Sequence, residues 1–381
     1  MSVPSGELGE DDLQRCFDLL PVETWQQLAG RRIFITGGTG FVGKWMVASL
    51  LHAKRLLDLK CEVTVLTRSP ESFQREAPKL ADQVSLLRGD VRDFALPLMQ
   101  FDTVVHAATE VAARGTLEDT FLTCIEGTRR VMALARQCGT RDLLLVSSGA
   151  VYGRQPAAMT HVSETYDGAP DPLALASAYG EGKRASEWLA SSTAPVGLKV
   201  RIARCFAFVG PHLPLDKHFA IGNFLGAVLA GRPMVVHGDG TPHRSYLYAA
   251  DMAAWLWCVL VKGRSGVAYN VGAEESISIA DLAERVCRVL GVVPVIEMKG
   301  RTVASASAQR YVPDTTLART ELGLPNELPL DDAIRRTARW HCPTLTEPAA
   351  HPGSFAQSSV LSPPRECEPI QPNSRGLSNK H

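Results

Sequence analysis

The sequence has no excess of charge of either sign, no long apolar run and no close pair of cysteines. Lysine plus arginine and aspartate plus glutamate each number 40 in 381 residues. The basic footprint of a dedicated nucleic-acid binder is therefore missing, and no nucleic-acid partner is expected. The longest apolar run, Met252 to Val261, falls well short of the ~20 residues that cross a bilayer. It predicts a buried helix, and no membrane partner is expected. Residues 1–28 lack the basic-then-apolar build of a secretory signal. The cysteines, at 16, 61, 124, 138, 205, 258, 287, 342 and 367, include no C-x-x-C pair. Neither a zinc site nor a disulfide framework is supported, and reduced thiols in a cytoplasmic protein are expected. No internal repeat is visible.

What is present is alternation. Apolar runs at 32–36, 62–67, 84–87, 103–106, 143–146 and 199–203 predict strands, and helical spacing at 41–54, about 117–138 and about 177–192 separates several of them. Strands that are apolar throughout and alternate with helices predict a parallel sheet covered on both faces, an α/β doubly wound Rossmann-type fold. Residues 1–28 read as an N-terminal helical extension split at Pro21, and 29–203 as the dinucleotide-binding domain. Residues 204–343 read as a smaller substrate-binding lobe, some segments of which can return to the sheet. From 344 to 381 the composition is that of a disordered tail.

Three patterns carry chemistry. Ile33 to Gly43 reads as strand, tight turn with Gly37, Gly40 and Gly43, and a helix entered at Phe41 and Val42. Glycine lets the backbone approach a diphosphate, and the helix N-terminus offers free N–H groups and a positive dipole end. This context predicts a bound nicotinamide dinucleotide. At the end of the second strand, where NAD sites place an acidic residue, the chain has Thr67-Arg68-Ser69. Arg68 favours the 2′-phosphate of NADP over NAD. Tyr179 and Lys183 are four residues apart, hence on one helix face, where an ammonium is expected to lower the phenol's pKa. Ser148, ending the fifth strand, can bond the same substrate oxygen. His212, His218, His237 and His243 lack metal-ligand spacing and no metal is expected; Glu164 and Asp167 read as loop carboxylates.

T-G-G-T-G-F-V-G, G-D-V-R-D, H-A-A, S-S-G-A-V-Y-G and Y-G-E-G-K, in this order, resemble the extended short-chain dehydrogenase/reductase family, in its nucleotide-sugar epimerase/dehydratase branch. R-C-F-A-F-V-G-P (204–211), H-G-D-G-T-P-H-R-S-Y (237–246), Y-N-V-G-A (269–273) and Pro313-Asp314 agree with it. The resemblance implies Ser148, Tyr179 and Lys183 as catalytic trio, with Lys183 also on the nicotinamide ribose. Asp90 and Val91 would face the adenine, and Ala107 would lie near the ribose and nicotinamide. Arg244, with Arg310 and Asn223, would bind a nucleotide sugar. The helices at 117–138 and 177–192 would form a homodimer.

Three departures narrow the reaction. Where family 4,6-dehydratases carry acidic residues after the serine/threonine, this chain has Gly149 and Ala150; Ala207 and Cys124 stand where asparagines are common. The expectation is an NAD(P)-dependent 4-epimerase or 4-ketoreductase of a nucleotide sugar. A 4,6-dehydratase with atypical acid/base groups is the alternative, and a catalytically idle dinucleotide sensor or scaffold is the alternative of another class.

Overall fold

A computed structural model of the protein describes residues 7–108, 116–217, 219–300, 309–325 and 327–345. His218, Cys367 and the tail from 346 onward lie outside the described residues. Two short helices, α1 (Glu10–Asp18) and α2 (Val22–Gln26), lie either side of Pro21, where proline's missing N–H interrupts the helix. Then follow β1 (Arg32–Thr36), α3 (Phe41–Leu57), β2 (Glu62–Thr67), α4 (Pro70–Glu76), α5 (Pro78–Ala81), β3 (Ser85–Arg88) and β4 (Thr103–His106). The first half closes with α6 (Leu117–Cys138), β5 (Asp142–Ser148), α7 (Ala178–Ser192) and β6 (Lys199–Cys205).

The main sheet is seven-stranded and parallel, with a strand from beyond residue 204, β11, as its last member. Between β6 and β11 come β7 (Phe208–Val209), α8 (Ala220–Leu229), β8 (Met234–Val236), β9 (His243–Arg244), β10 (Leu247–Tyr248) and α9 (Ala249–Lys262). β11 itself is Ala268–Val271, followed by β12 (Ile277–Ser278), α10 (Ile279–Leu290), β13 (Ile296–Met298) and β14 (Arg310–Tyr311). Helices α11 (Thr316–Leu322) and α12 (Leu330–His341) end the described chain. The strand order is β3-β2-β1-β4-β5-β6-β11. The order reverses between β1 and β4, and in open α/β sheets ligands bind beyond the strand ends at that switch point.

The apolar run at 252–261 is indeed a buried helix. α9 is buried from Ala249 to Leu260, as a helix apolar on every side must be. It packs on α3, where Trp257 Nε1 donates to Ser49 Oγ at 3.0 Å, and on the N-terminal helices, where Trp25 and Trp257 lie 6.4 Å apart. Asp251 in its first turn takes Arg15 Nε at 2.7 Å and Nη2 at 3.0 Å, plus the Leu328 N–H at 2.6 Å. No helix among the described residues is long and apolar enough to cross a membrane.

The smaller lobe is built from α8, α10, the β8–β13 pair and the three-stranded sheet β12-β9-β14. Asn270 of β11 stitches it to the sheet. Its Nδ2 donates to the Val162 and Asp314 carbonyls, each at 2.9 Å, and its Oδ1 accepts from Tyr152 Oη at 2.8 Å. Its backbone N–H donates to Glu164 at 2.7 Å. The loop carboxylate Glu164 thus caps the lobe junction, and burial raises its pKa.

Candidate active site

A cleft of about 590 Å³ runs along the C-terminal ends of β1 to β4. Its floor is the glycine turn. Gly37 has φ +73°, and a Cβ there would sit 2.6 Å from the Ala107 carbonyl. A Cβ on Gly43 would sit 2.1 Å from the Gly37 oxygen. Only glycine fits either place. Gly40 caps α3, so the next residues, Phe41 and Val42, present N–H groups that lack intrahelical acceptors. This cradle fits the diphosphate of a dinucleotide.

At the far end of the cleft lie Arg68, Asp90, Val91 and Arg92. Arg68 directly follows β2, as the sequence places it. Burial pushes the Asp90 carboxyl up, but hydrogen bonds from the Arg92 backbone and guanidinium, with the charges of Arg92 and Arg68, outweigh it and hold the pKa low. On the α4 side, Glu76 is paired with Lys44 at 3.3 Å. Ala107 lines the cleft at the end of β4.

The next strand, β5, brings Ser148 to the same edge, and α7 brings Tyr179 and Lys183 over it. Ser148 Oγ accepts from the Ala150 N–H at 3.1 Å, and its hydroxyl lies close enough to the Tyr179 phenol to oppose the rise of that phenol's pKa. Lys183 Nζ donates to the Val146 carbonyl at 2.7 Å and lies 5.8 Å from the Tyr179 ring centre. The expectation that Lys183 lowers the tyrosine's pKa is corrected here. Burial, then Tyr311, push the phenol above its ordinary range, partly offset by the Ser148 hydrogen bond. Burial also lowers the Lys183 pKa. The Lys183 ammonium is directed at the Val146 carbonyl instead.

Behind the trio is a network that sequence reasoning missed. Glu187, one turn beyond Lys183 on α7, takes Ser147 Oγ at 2.5 Å and Arg204 Nη2 at 2.7 Å. Arg204 in turn lies 4.8 Å above the Tyr152 ring. These contacts fix α7 against β5 and β6. The i, i+4 relation of Lys183 and Glu187 was the available signal.

The wall beside Ser148 is apolar and aromatic. Gly149 and Ala150 open a short 3₁₀ turn, and a Cβ on Gly149 would lie 2.6 Å from the Phe206 ring. Phe206 packs on Tyr311, with ring centres 4.7 Å apart. Tyr311, also missed, stands between the predicted Arg310 and Pro313. Arg244 and Arg310 occupy neighbouring strands, with Tyr311 opposite Arg244 and Arg310 opposite His243. Arg244 lies 5.8 Å from the Tyr311 ring centre, while Arg310 reaches Ser276 Oγ at 3.5 Å. Asn223 is half-buried on α8. Cys124 is buried on α6, and its sulfur would lie 3.0 Å from a Cβ on Gly182. The His212 ring lies tilted against Trp340, with ring centres 4.6 Å apart. Among the described residues no three His, Cys, Asp or Glu groups come together as a metal site.

A Rossmann sheet whose glycine cradle adjoins a Ser–Tyr–Lys trio defines an enzyme of the short-chain dehydrogenase/reductase class. The chain belongs to the NAD dependent epimerase/dehydratase family, which matches residues 33–272. It is 30% identical over 312 residues to UDP-glucuronic acid decarboxylase 1 of Arabidopsis thaliana, covering 80% of this chain and 68% of that one. DesIV, the dTDP-glucose 4,6-dehydratase of Streptomyces venezuelae solved with NAD and TYD bound, is 27% identical with a TM-score of 0.71, covering 82% of this chain and 97% of that one. UDP-N-acetylglucosamine 4-epimerase from Methanobrevibacter ruminantium shares the fold, with a TM-score of 0.69 at 21% identity, covering 82% of this chain and 98% of that one. Three different reactions are named among these proteins, so family membership fixes the class and leaves the reaction open.

Proposed function

We propose that the protein oxidises or reduces C4 of a nucleotide-activated sugar, as a 4-epimerase or a 4-ketoreductase. The observation that carries this reading is Ser148 beside Tyr179 at the end of β5, flanked by Gly149 and Ala150 under the Phe206 ring. Gly37, Gly40, Phe41, Val42 and Gly43 would hold a dinucleotide's diphosphate. Asp90 and Val91 would face its adenine, and Ala107, Tyr179 and Lys183 its nicotinamide ribose. Such a cofactor supplies reversible hydride transfer when bound. Arg68 at the end of β2, with no carboxylate in that place, supports NADPH over NADH.

The chain supplies the proton. Ser148 polarises the sugar's C4 oxygen, and Tyr179 exchanges a proton with it. Arg68, by favouring NADPH, supports the reductase direction. Arg244 would take the sugar nucleotide's diphosphate, with Arg310 and Asn223 nearby. Elimination of a C6 hydroxyl requires an acid beside Ser148, and neither Gly149 nor Ala150 can exchange a proton.

The Arabidopsis relative favours a second reading, loss of carbon dioxide from a nucleotide-bound hexuronic acid. Once C4 is a ketone, the C6 carboxylate is part of a β-keto acid: the C5–C6 bond breaks, carbon dioxide leaves, the bond's electron pair forms the C4 enolate, and a proton from water restores C5, so no leaving-group acid is needed. Gly149 and Ala150 are compatible with that step.

A homodimer through α6 and α7 also belongs to this proposal. The two helices pack together, and Trp188 on α7 is 68% exposed.

The test is a panel of UDP-, dTDP-, GDP- and CDP-sugars, including UDP-glucuronic acid and a 4-ketosugar supplied with NADPH, with products read by mass and NMR. Unchanged mass supports epimerisation and a gain of two hydrogens supports reduction. Loss of carbon dioxide supports the second reading, and loss of water overturns both. Tyr179→Phe should keep cofactor binding and lose turnover; unchanged turnover removes the mechanism, and no turnover by wild type with any sugar favours the idle sensor. For cofactor choice, Arg68→Ala should weaken NADPH and leave NADH unchanged. Equal loss for both removes the 2′-phosphate assignment.

A further inference from the structure

The lobe strand β14 sends one phenol into the catalytic trio. Tyr311 Oη lies 3.2 Å from Ser148 Oγ and 3.3 Å from the Cys205 carbonyl oxygen. Its ring is held by Phe206 and by the Arg244 guanidinium. A hydroxyl has one proton and two lone pairs. At Ser148 the Ala150 N–H occupies one lone pair. We propose that Tyr311 occupies the other by donating to Ser148 Oγ, which leaves the serine's own proton one direction, toward Tyr179 and the substrate oxygen.

Tyr311 is then a positioning residue that acts through Ser148. It keeps its proton at working pH, because burial raises its pKa to about 12. The Cys205 carbonyl competes for that proton. A sugar oxygen drawing on the serine's proton favours the Ser148 setting, because chained hydroxyls strengthen one another. The consequence is that Ser148 is a directed donor only while β14 is docked, which ties the chemistry to the lobe. This inference rests on the C4 reading above.

The test compares wild type, Tyr311→Phe, Ser148→Ala and the double variant. Phenylalanine keeps the ring on Phe206 and removes only the hydroxyl. A typical net hydrogen-bond contribution corresponds to a kcat loss of about two- to thirteenfold in Tyr311→Phe. KM should move less than about twofold, as for a group acting on the transition state rather than on binding. The same change made in Ser148→Ala should cost no further activity. Unchanged kcat in Tyr311→Phe, or a loss that multiplies with that of Ser148→Ala, overturns the inference. Unchanged turnover in Ser148→Ala instead overturns the C4 mechanism itself. Melting temperatures of the four proteins give a readout free of turnover. Tyr311→Phe should lower the melting point more where Ser148 is present than in Ser148→Ala, where the phenol keeps the Cys205 carbonyl as acceptor, and equal shifts overturn the hydrogen bond.

Discussion

At the residue scale, two glycines carry most of the argument. Gly43 is legible in the sequence because strand, turn and helix surround it, and the structure shows the reason in the 2.1 Å that a Cβ would leave to the Gly37 oxygen. Gly43→Ala must open the turn. Overpacking of about 1–3 kcal/mol predicts an affinity loss for NADPH of about 5- to 150-fold, read by fluorescence titration; an unchanged dissociation constant would contradict the cradle. Gly149 is legible only as the absence of an acid. That Phe206 covers it depends on a residue 57 positions later in the chain. Gly149→Asp is therefore expected to lower stability by about 1–3 kcal/mol without producing a dehydrated sugar. Calorimetry and product mass check this, and a product lighter by one water would refute it. Tyr311 was hidden for a different reason. Nothing local marks a phenol on a two-residue strand as facing Ser148; only the pairing of β14 with β9 brings it there.

At the scale of elements, six of the seven strands of the main sheet could be read from apolar runs, because a strand buried on both faces is apolar throughout; β11, with Tyr269 and Asn270 at its centre, could not. The short strands of the lobe could not, since two residues hold no periodicity. The N-terminal helices show a third case. Their helical spacing is visible, but their anchorage is not, because Arg15 pairs with Asp251, one of whose oxygens also takes the Leu328 amide. Burial raises the Asp251 pKa, and Arg15 and the Leu328 amide oppose that rise. Arg15→Ala leaves a buried carboxylate without its cation, a change worth about 3–5 kcal/mol. Urea unfolding should show that loss, and adding Asp251→Asn should recover part of it. A variant as stable as wild type would show that α1 is not held by this pair.

At the scale of the whole molecule, stability should depend on pH through a buried histidine. His106 ends β4, with Nδ1 2.8 Å from Thr36 Oγ1 and Nε2 3.2 Å from Thr128 Oγ1. Burial, with the Lys183 charge, pushes its pKa down to about 3. The unfolded chain takes up this proton below about pH 6.5, and the folded chain does not until about pH 3. Stability from this group is therefore full above pH 6.5 and falls as the pH drops through that window. The loss is about 2 kcal/mol between pH 6.5 and 5. Melting temperature across that range checks it, and His106→Asn should flatten the slope; an unchanged slope would assign the dependence elsewhere. The pairing of Arg15 with Asp251 has a consequence for how the molecule comes into being. The two are 236 residues apart, so during synthesis α1 leaves the ribosome long before the helix it clasps. Until they meet, Trp257 and its apolar neighbours lack part of their cover, and contacts of such separation form slowly. The earliest-made helix of the described chain can settle on α3 through Arg55 and His52, but its clasp on α9 must wait until residue 251 has been made.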